Sequence, residues 1–182
     1  MRNKLSDNDA FNMNSHAWVF IAAILGLSGC ESQVSNRSLL NVNEIVSGFA
    51  SVPNSEAVVH GVIDNALGSR RSVMFIHVDW AMTEIYHQQY AEFLVAYHTK
   101  YPSDALLFHF ADCSSVSQNY APLRAIPGWQ QLIDDAGTAM IHGNGEVAWI
   151  ENGRVLHVQS IREFETASEL VEFTETLTPA RG

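Results

Sequence analysis

Hydrophobic and polar positions divide this chain into short apolar runs separated by stretches of helical period, and the clearest unit lies between Ser72 and Asp112. Ser72 to Trp80 is mostly apolar and rich in strand-favouring residues, and Ala105 to Asp112 repeats that character. Between them Ile85, Tyr90, Phe93, Leu94 and Tyr97 recur at helical spacing, and Pro102 marks the end of the pattern. Two such runs around about twenty residues of helical period predict strand, crossover helix and parallel strand. That unit requires a right-handed crossover and a sheet covered on both faces.

The flanking segments extend the pattern. Ser55 to Leu67 reads as a helix, with Ala57, Val58, Val62, Ile63 and Ala66 near one face, Pro53-Asn54-Ser55 as its cap and Gly68 as its stop. Leu39 to Phe49 is apolar enough for a short edge strand or a helix, and both readings stand. After Asp112, Cys113-Ser114-Ser115 offers a cap, and helical pieces run to Asp135, broken by Pro122 and Pro127-Gly128. Two Asn-Gly pairs follow, Asn144-Gly145 and Asn152-Gly153. The second lies between Glu146-Val147-Ala148-Trp149-Ile150 and Val155-Leu156-His157-Val158, a hairpin signal because Asn-Gly accepts the positive φ of a type I′ turn. Thr166-Ala167-Ser168-Glu169 is a capping box that opens a last helix, with Leu170, Val171, Phe173 and Leu177 as its buried stripe.

The amino terminus has a different character. Arg2 and Lys4 precede eleven apolar residues, Ala17 to Leu27, and Leu27-Ser28-Gly29-Cys30 follows. A span needs about twenty apolar residues, so this shorter stretch ending in small residues reads as an export signal. The tetrapeptide resembles the lipobox of bacterial lipoproteins, whose cysteine becomes the lipidated amino terminus. That resemblance implies a signal peptide over residues 1–29, lipid on Cys30, and a place in the bacterial cell envelope, on the periplasmic side in a Gram-negative cell. Glu31 leaves inner and outer membrane open, and Met13 is an alternative start. Ser- and Asn-rich residues from Glu31 to Asn54 suit a tether, giving a lipidated tail over 30–54 and a folded domain over 55–182.

Charge and cysteine content narrow the chemistry. The net charge is −10 and the chain has two lysines, Lys4 and Lys100, so the basic footprint of a nucleic-acid binder is lacking. An acidic balance of this size reads as a well-solvated surface. With Cys30 lipidated, Cys113 is the remaining thiol, and a domain in an oxidising compartment with one thiol forms no internal disulfide.

The order helix, strand, long helix, strand, helical connection, Asn-Gly hairpin and terminal helix resembles the thioredoxin fold over roughly Ser55 to Leu177. Two pieces carry the resemblance. The run into Asp79-Trp80-Ala81 is similar to the thioredoxin strand that ends in a tryptophan just before the active-site helix. The hairpin Trp149-Ile150-Glu151-Asn152-Gly153-Arg154-Val155 is similar to that family's Asn-Gly turn. The resemblance implies an α/β fold: a three-layer sandwich whose central mixed sheet ends in a β-hairpin and terminal helix.

The departures from the family decide the functional expectation. Family members open the helix after that tryptophan with Cys-x-x-Cys, where the helix terminus lowers a thiol pKa. The slot falls here on Ala81-Met82-Thr83-Glu84 or on Glu84-Ile85-Tyr86-His87, and no cysteine lies anywhere between Glu31 and Asp112. Gly145 stands where the family keeps a cis-proline, with Pro127 as a rival under another strand assignment. The chain between Asp112 and the second Asn-Gly is also longer than a minimal thioredoxin. Dithiol oxidoreductase chemistry is therefore excluded unless a partner supplies thiols.

The degenerate active-site region comprises Asp79, Trp80, Ala81, Glu84 and Gly145. Three remnants bear on chemistry. Cys113 follows the second strand and lies at the sheet edge, where a single thiol could form a mixed disulfide or sense oxidant, against the reading of an idle buried cysteine. His77 and His109 stand three residues before Trp80 and Asp112, and facing each other they could bind a metal with help from Cys113, although no short ligand spacing such as His-x-x-x-His occurs. Asp79 and Glu84 fit a strand-end cap and a first-turn carboxylate better than an acid-base pair. Trp80, Trp129 and Trp149 read as core or pocket wall.

The sequence thus predicts a lipid-anchored thioredoxin-like domain without the dithiol, serving as a protein- or peptide-binding module of the envelope and needing no cofactor. The alternatives are a single-thiol enzyme or sensor working through Cys113 and an envelope metal-binding protein.

Overall fold

A computed structural model of the chain describes residues 40–129 and 143–180. The signal-like segment, Cys30 and the first part of the tether lie outside these residues, as does 130–142, which takes in the last part of the stretch read as helical pieces.

The molecule is an α/β fold around a four-stranded mixed sheet. Its strands are β1 (Arg71–His77), β2 (Leu107–Asp112), β3 (Glu146–Glu151) and β4 (Arg154–Ser160), arranged in the order β2-β1-β3-β4. β1 pairs parallel with β2, from Ser72 opposite Leu107 to His77 opposite Asp112, and antiparallel with β3, where Met74 faces Ala148. Every residue of β1 is buried, as a central strand covered on both faces must be.

Among the described residues five α-helices accompany the sheet: α1 (Val42–Phe49), α2 (Glu56–Gly68), α3 (His87–Lys100), the short α4 (Ala121–Arg124) and α5 (Ala167–Leu177). The ambiguous segment before Phe49 is the helix α1. Its side chain Asn41 accepts from the Asn43 amide at 2.9 Å, and Phe49 stacks on Phe110 with centroids 4.4 Å apart. The packed structure therefore begins inside the stretch that its polar composition marks as tether.

Side-chain parity sorts the core into two halves. On one face Met74, Ile76, Ala111, Ala148 and Ile150 meet Val59, Val62, Ile63 and Ala66 of α2, with Leu123, Ile126 and Trp129 beside them. On the other face Phe75, Phe108, Phe110 and Trp149 meet α1, α3 and α5 through Phe49, Tyr90, Phe93 and Phe173. Burying each large side chain of this kind stabilises by roughly 1.5–3 kcal/mol. The α2 stripe lies as expected at Val62, Ile63 and Ala66, and differs in its first turn, where Val59 is buried and Ala57 exposed.

The hairpin closes through Asn152 at φ 50° and Gly153 at φ 74°, the two positive values that a type I′ turn requires. A bulge near Trp149 sets Ile150 opposite Val155 and Ala148 opposite Val158. The extra residue, Leu156, changes the side-chain alternation of β4, so Val155 and Val158 both reach the α2 face. At α5 the Thr166 hydroxyl accepts from the Glu169 amide at 3.2 Å, and the Glu169 carboxylate accepts from the Glu165 amide at 2.8 Å. Trp149 donates from Nε1 to the Thr174 hydroxyl at 2.8 Å, fixing α5 to the sheet.

Candidate functional site

The expected site region lies where β1 and β2 end, and it differs from the sequence picture in shape. β1 stops at His77, three residues earlier than the apolar run suggests. The chain then makes two 3-10 turns, Asp79–Ala81 and Thr83–Tyr86, before α3 starts at His87. Met82 joins the turns at φ 55° and ψ 35°, a left-handed conformation that costs a non-glycine residue roughly 1–2 kcal/mol.

Thr83 holds this loop from below. Its hydroxyl oxygen accepts from the Val78 amide at 2.8 Å and lies 2.9 Å from the Val78 carbonyl and 2.7 Å from His77 Nδ1. One hydroxyl proton serves one of those two acceptors at a time. A second fastening comes from β2, where Asp112 Oδ1 accepts from both the amide and the hydroxyl of Ser114, and the Ser114 hydroxyl accepts from the Asp79 amide at 3.0 Å. Thr83 is fully buried; the loop is tied at both of its turns.

His77 also meets His87, with Nδ1 and Nε2 3.1 Å apart and the rings in edge contact. A single proton between those nitrogens makes a hydrogen bond, whereas two would oppose N–H to N–H. Phe49, Phe75 and Phe110 surround the His87 ring. Burial and the neighbouring His77 push the His87 pKa down to about 4, and Glu84 and Asp112 pull against that shift without cancelling it. At neutral pH His87 is an uncharged imidazole.

The other predicted residues are spread over both faces. Cys113 donates its amide to the His77 carbonyl at 2.8 Å, but its side chain belongs to the α2-side core. Burial first, then Asp112 and Glu146, push its thiol up to about 12, so it carries no thiolate at neutral pH. His77 lies opposite Asp112 and His109 opposite Met74. The odd offset puts the two histidines on opposite sides of the sheet, so they do not face one another. His109 Nε2 is buried without a hydrogen-bond partner, and burial lowers its pKa to about 4. Among the described residues no group of three or more His, Cys, Asp or Glu side chains is arranged to hold a metal ion.

Gly145, at φ 66°, approaches the loop so closely that an added Cβ would lie 2.7 Å from the Tyr86 ring, and its carbonyl accepts from the Ile161 amide at 2.9 Å. Gly143, at φ 73°, backs Trp80 and Ala81, with a Cβ there 2.8 Å from Trp80 Cζ3 and 2.4 Å from Ala81 Cβ. Pro127 is elsewhere: its carbonyl accepts from the Val155 amide at 2.9 Å, at the far end of the hairpin. The peptide bonds of the described residues are all trans.

The three tryptophans separate. Trp129 and Trp149 are wholly buried, whereas Trp80, read with them as core or pocket wall, is 47% exposed and does not lie in the core. Ile85 is corrected likewise. It sits in a 3-10 turn before α3 and not on the Tyr90 stripe, and it is 64% exposed; Met82 between them is 62% exposed. Met82, Thr83 and His87 are the functional-looking residues that sequence reasoning met only as empty dithiol slots. No helix among the described residues is long and apolar enough to cross a membrane.

Comparison with known proteins adds no relative: no family model, curated protein or solved structure matches the chain.

Proposed function

We propose that this protein is a lipid-anchored thioredoxin-like domain of the bacterial envelope that has lost the redox dithiol and acts as a non-catalytic binding module. The fold part of this reading is supported by the strand order β2-β1-β3-β4, with β3 antiparallel to its neighbours and the order βαβ followed by a hairpin and helix. The anchor is supported by Leu27-Ser28-Gly29-Cys30 after an apolar stretch of eleven residues.

One observation carries the function. At the end of the sheet where this fold family performs thiol chemistry, the loop is thiol-free, tied down through Thr83 and Ser114, and presents Trp80, Met82 and Ile85 to solvent. The nearby thiol, Cys113, is buried in the α2-side core, where burial, Asp112 and Glu146 push its pKa up. A fixed surface of exposed large apolar side chains suits recognition, not electron transfer.

The test is insulin reduction with dithiothreitol by the full chain in non-ionic detergent, beside Cys113→Ser. Equal background rates are the expected result. Turnover that disappears in the variant would overturn the reading and make Cys113 a redox site. Incorporation of labelled fatty acid in a bacterial host, lost in Cys30→Ala, tests the anchor separately.

A further inference from the structure

We infer that the loop end of the sheet docks a cationic segment of a partner protein, in which apolar side chains rest on Trp80, Met82 and Ile85 while flanking Lys or Arg side chains meet Asp79 and Glu84. This rests on the binding-module reading above and adds the chemistry of the partner.

Exposure is the first observation. Three large apolar side chains, 47%, 62% and 64% exposed, fall within six residues of chain. Soluble proteins rarely display such side chains together without a use, and Trp and Met are among the residues favoured at the anchoring points of interfaces. Gly143 lies against one edge of the Trp80 ring, so the indole has a firm backing. The Thr83 and Ser114 hydrogen bonds fix the loop backbone before any partner arrives, so docking orders little that is not already ordered.

Charge selects the occupant. Asp79 and Glu84 interleave with the apolar residues and are exposed, and Asp112 lies behind them at the end of β2. The sequence has no Lys or Arg between Ser72 and Thr99, the stretch that carries this loop, and none in Gly143-Asn144-Gly145, which backs it. Arg162, one residue beyond the Gly145–Ile161 hydrogen bond, is paired with Glu163 at 3.4 Å. An anionic segment would be repelled here, and a neutral apolar one would leave the carboxylates unused. A cationic one gains their attraction and a contact over the face of Trp80. Anionic lipid headgroups carry the wrong sign for the same surface.

The experiment uses the full chain in non-ionic detergent and fluorescence anisotropy of labelled peptides. Each is a short Gly-Ser peptide carrying the same leucines, with Lys, Ser or Glu at one common set of positions; detergent alone is the blank. The Lys peptide is expected to bind about tenfold more tightly than the Ser peptide, and the Glu peptide not at all. Trp80→Ser with Ile85→Ser should weaken the Lys peptide about tenfold. Asp79→Asn with Glu84→Gln should bring it to the level of the Ser peptide and flatten its dependence on salt. Glu56→Gln with Glu172→Gln removes the same charge from other exposed sites and should change nothing. Equal binding of the three peptides, an equal loss in the Glu56/Glu172 variant, or no binding at all would overturn the inference, as would Trp80-dependent binding to anionic vesicles in preference to peptides. Insulin reduction separates the two levels: background turnover beside failed peptide binding leaves the redox-silent module standing, and Cys113-dependent turnover removes both.

Discussion

The two ends of strand β1 solve opposite problems with different chemistry. At its amino end Arg71 is 3% exposed and donates from Nη1 to both oxygens of the equally buried Asp104, at 2.7 and 2.9 Å. Nη2 donates to the Tyr97 hydroxyl at 3.3 Å and to the Thr178 carbonyl, and Tyr97 in turn donates to Asp104. One guanidinium thus joins β1, α3, the approach to β2 and the end of α5. At the carboxyl end the loop backbone is held by two hydroxyls, those of Thr83 and Ser114, the latter braced on Asp112. A buried ion pair closes the first end to water, whereas the second keeps its loop fixed with apolar side chains outside. Charge serves cohesion at one end and, on the reading above, recognition at the other.

The largest way to break that contrast is to strand the charge. Asp104→Ala leaves the Arg71 guanidinium buried without its carboxylate, and a loss of about 3–5 kcal/mol in urea unfolding is expected. Replacing Arg71 and Asp104 together by apolar residues should cost much less than the single change. A double variant as unstable as Asp104→Ala would mean that the hydrogen bonds to Tyr97 and Thr178 matter more than the pair itself.

The histidines give the next largest effect, and its sign follows from their shifts. His87 and His109 both have folded-state values near 4, below the ordinary 6.5 of the unfolded chain, and burial is the first cause for each. Between about pH 4 and pH 6.5 the unfolded state therefore binds more protons, so stability rises with pH through this window and levels off above it. For His109, whose Nε2 is buried without a partner, the full effect is up to about 3 kcal/mol. Unfolding midpoints measured across the window should fall on acidification, and His109→Leu should flatten the curve. A midpoint independent of pH from 4 to 7 would contradict the burial of both rings.

Thr83→Val tests the hydroxyl ties of the carboxyl end by a nearly isosteric change. It removes the partner of the buried Val78 amide and one of two partners of His77 Nδ1, at a cost of about 1–3 kcal/mol. The cost should be accompanied by faster hydrogen exchange at Val78, because the loop loses its tie. A stable variant with unchanged exchange at Val78 would show that Ser114 alone holds the loop.

What could be read from the sequence was what local chemistry decides. The parallel unit, the Asn152-Gly153 turn and the Thr166 cap depend on runs, turn residues and spacing within a few positions, and each lies where those signals put it. The candidate site depended on where a strand stops. Counting back from Trp80 and Asp112 gave His77 and His109 matching positions. β1, however, ends at His77, and the resulting register sends the two rings to opposite faces. The same early stop takes Trp80 and Ile85 out of the core. An apolar run says that residues avoid water on average, not which of them leave the sheet in a turn. The His77–His87 contact joins a strand end to a helix start ten residues on, and no periodicity within either element signals it.

The smallest expected effect on stability sharpens the comparison most. Trp80→Ser and Ile85→Ser each remove a side chain that is about half or more exposed, so unfolding should shift by no more than about 0.5 kcal/mol. Truncating Trp149, wholly buried and hydrogen-bonded to Thr174, should cost about 3–5 kcal/mol. Urea unfolding of the three variants side by side makes the distinction between a tryptophan kept for packing and one kept for display. If Trp80→Ser proves as costly as the Trp149 change, the indole is a structural support resting on Gly143, and the case for an exposed anchor falls with it. If it is silent in unfolding but weakens the Lys peptide, the side chain has no cohesive role to explain its place, and recognition at the carboxyl end of β1 becomes its function.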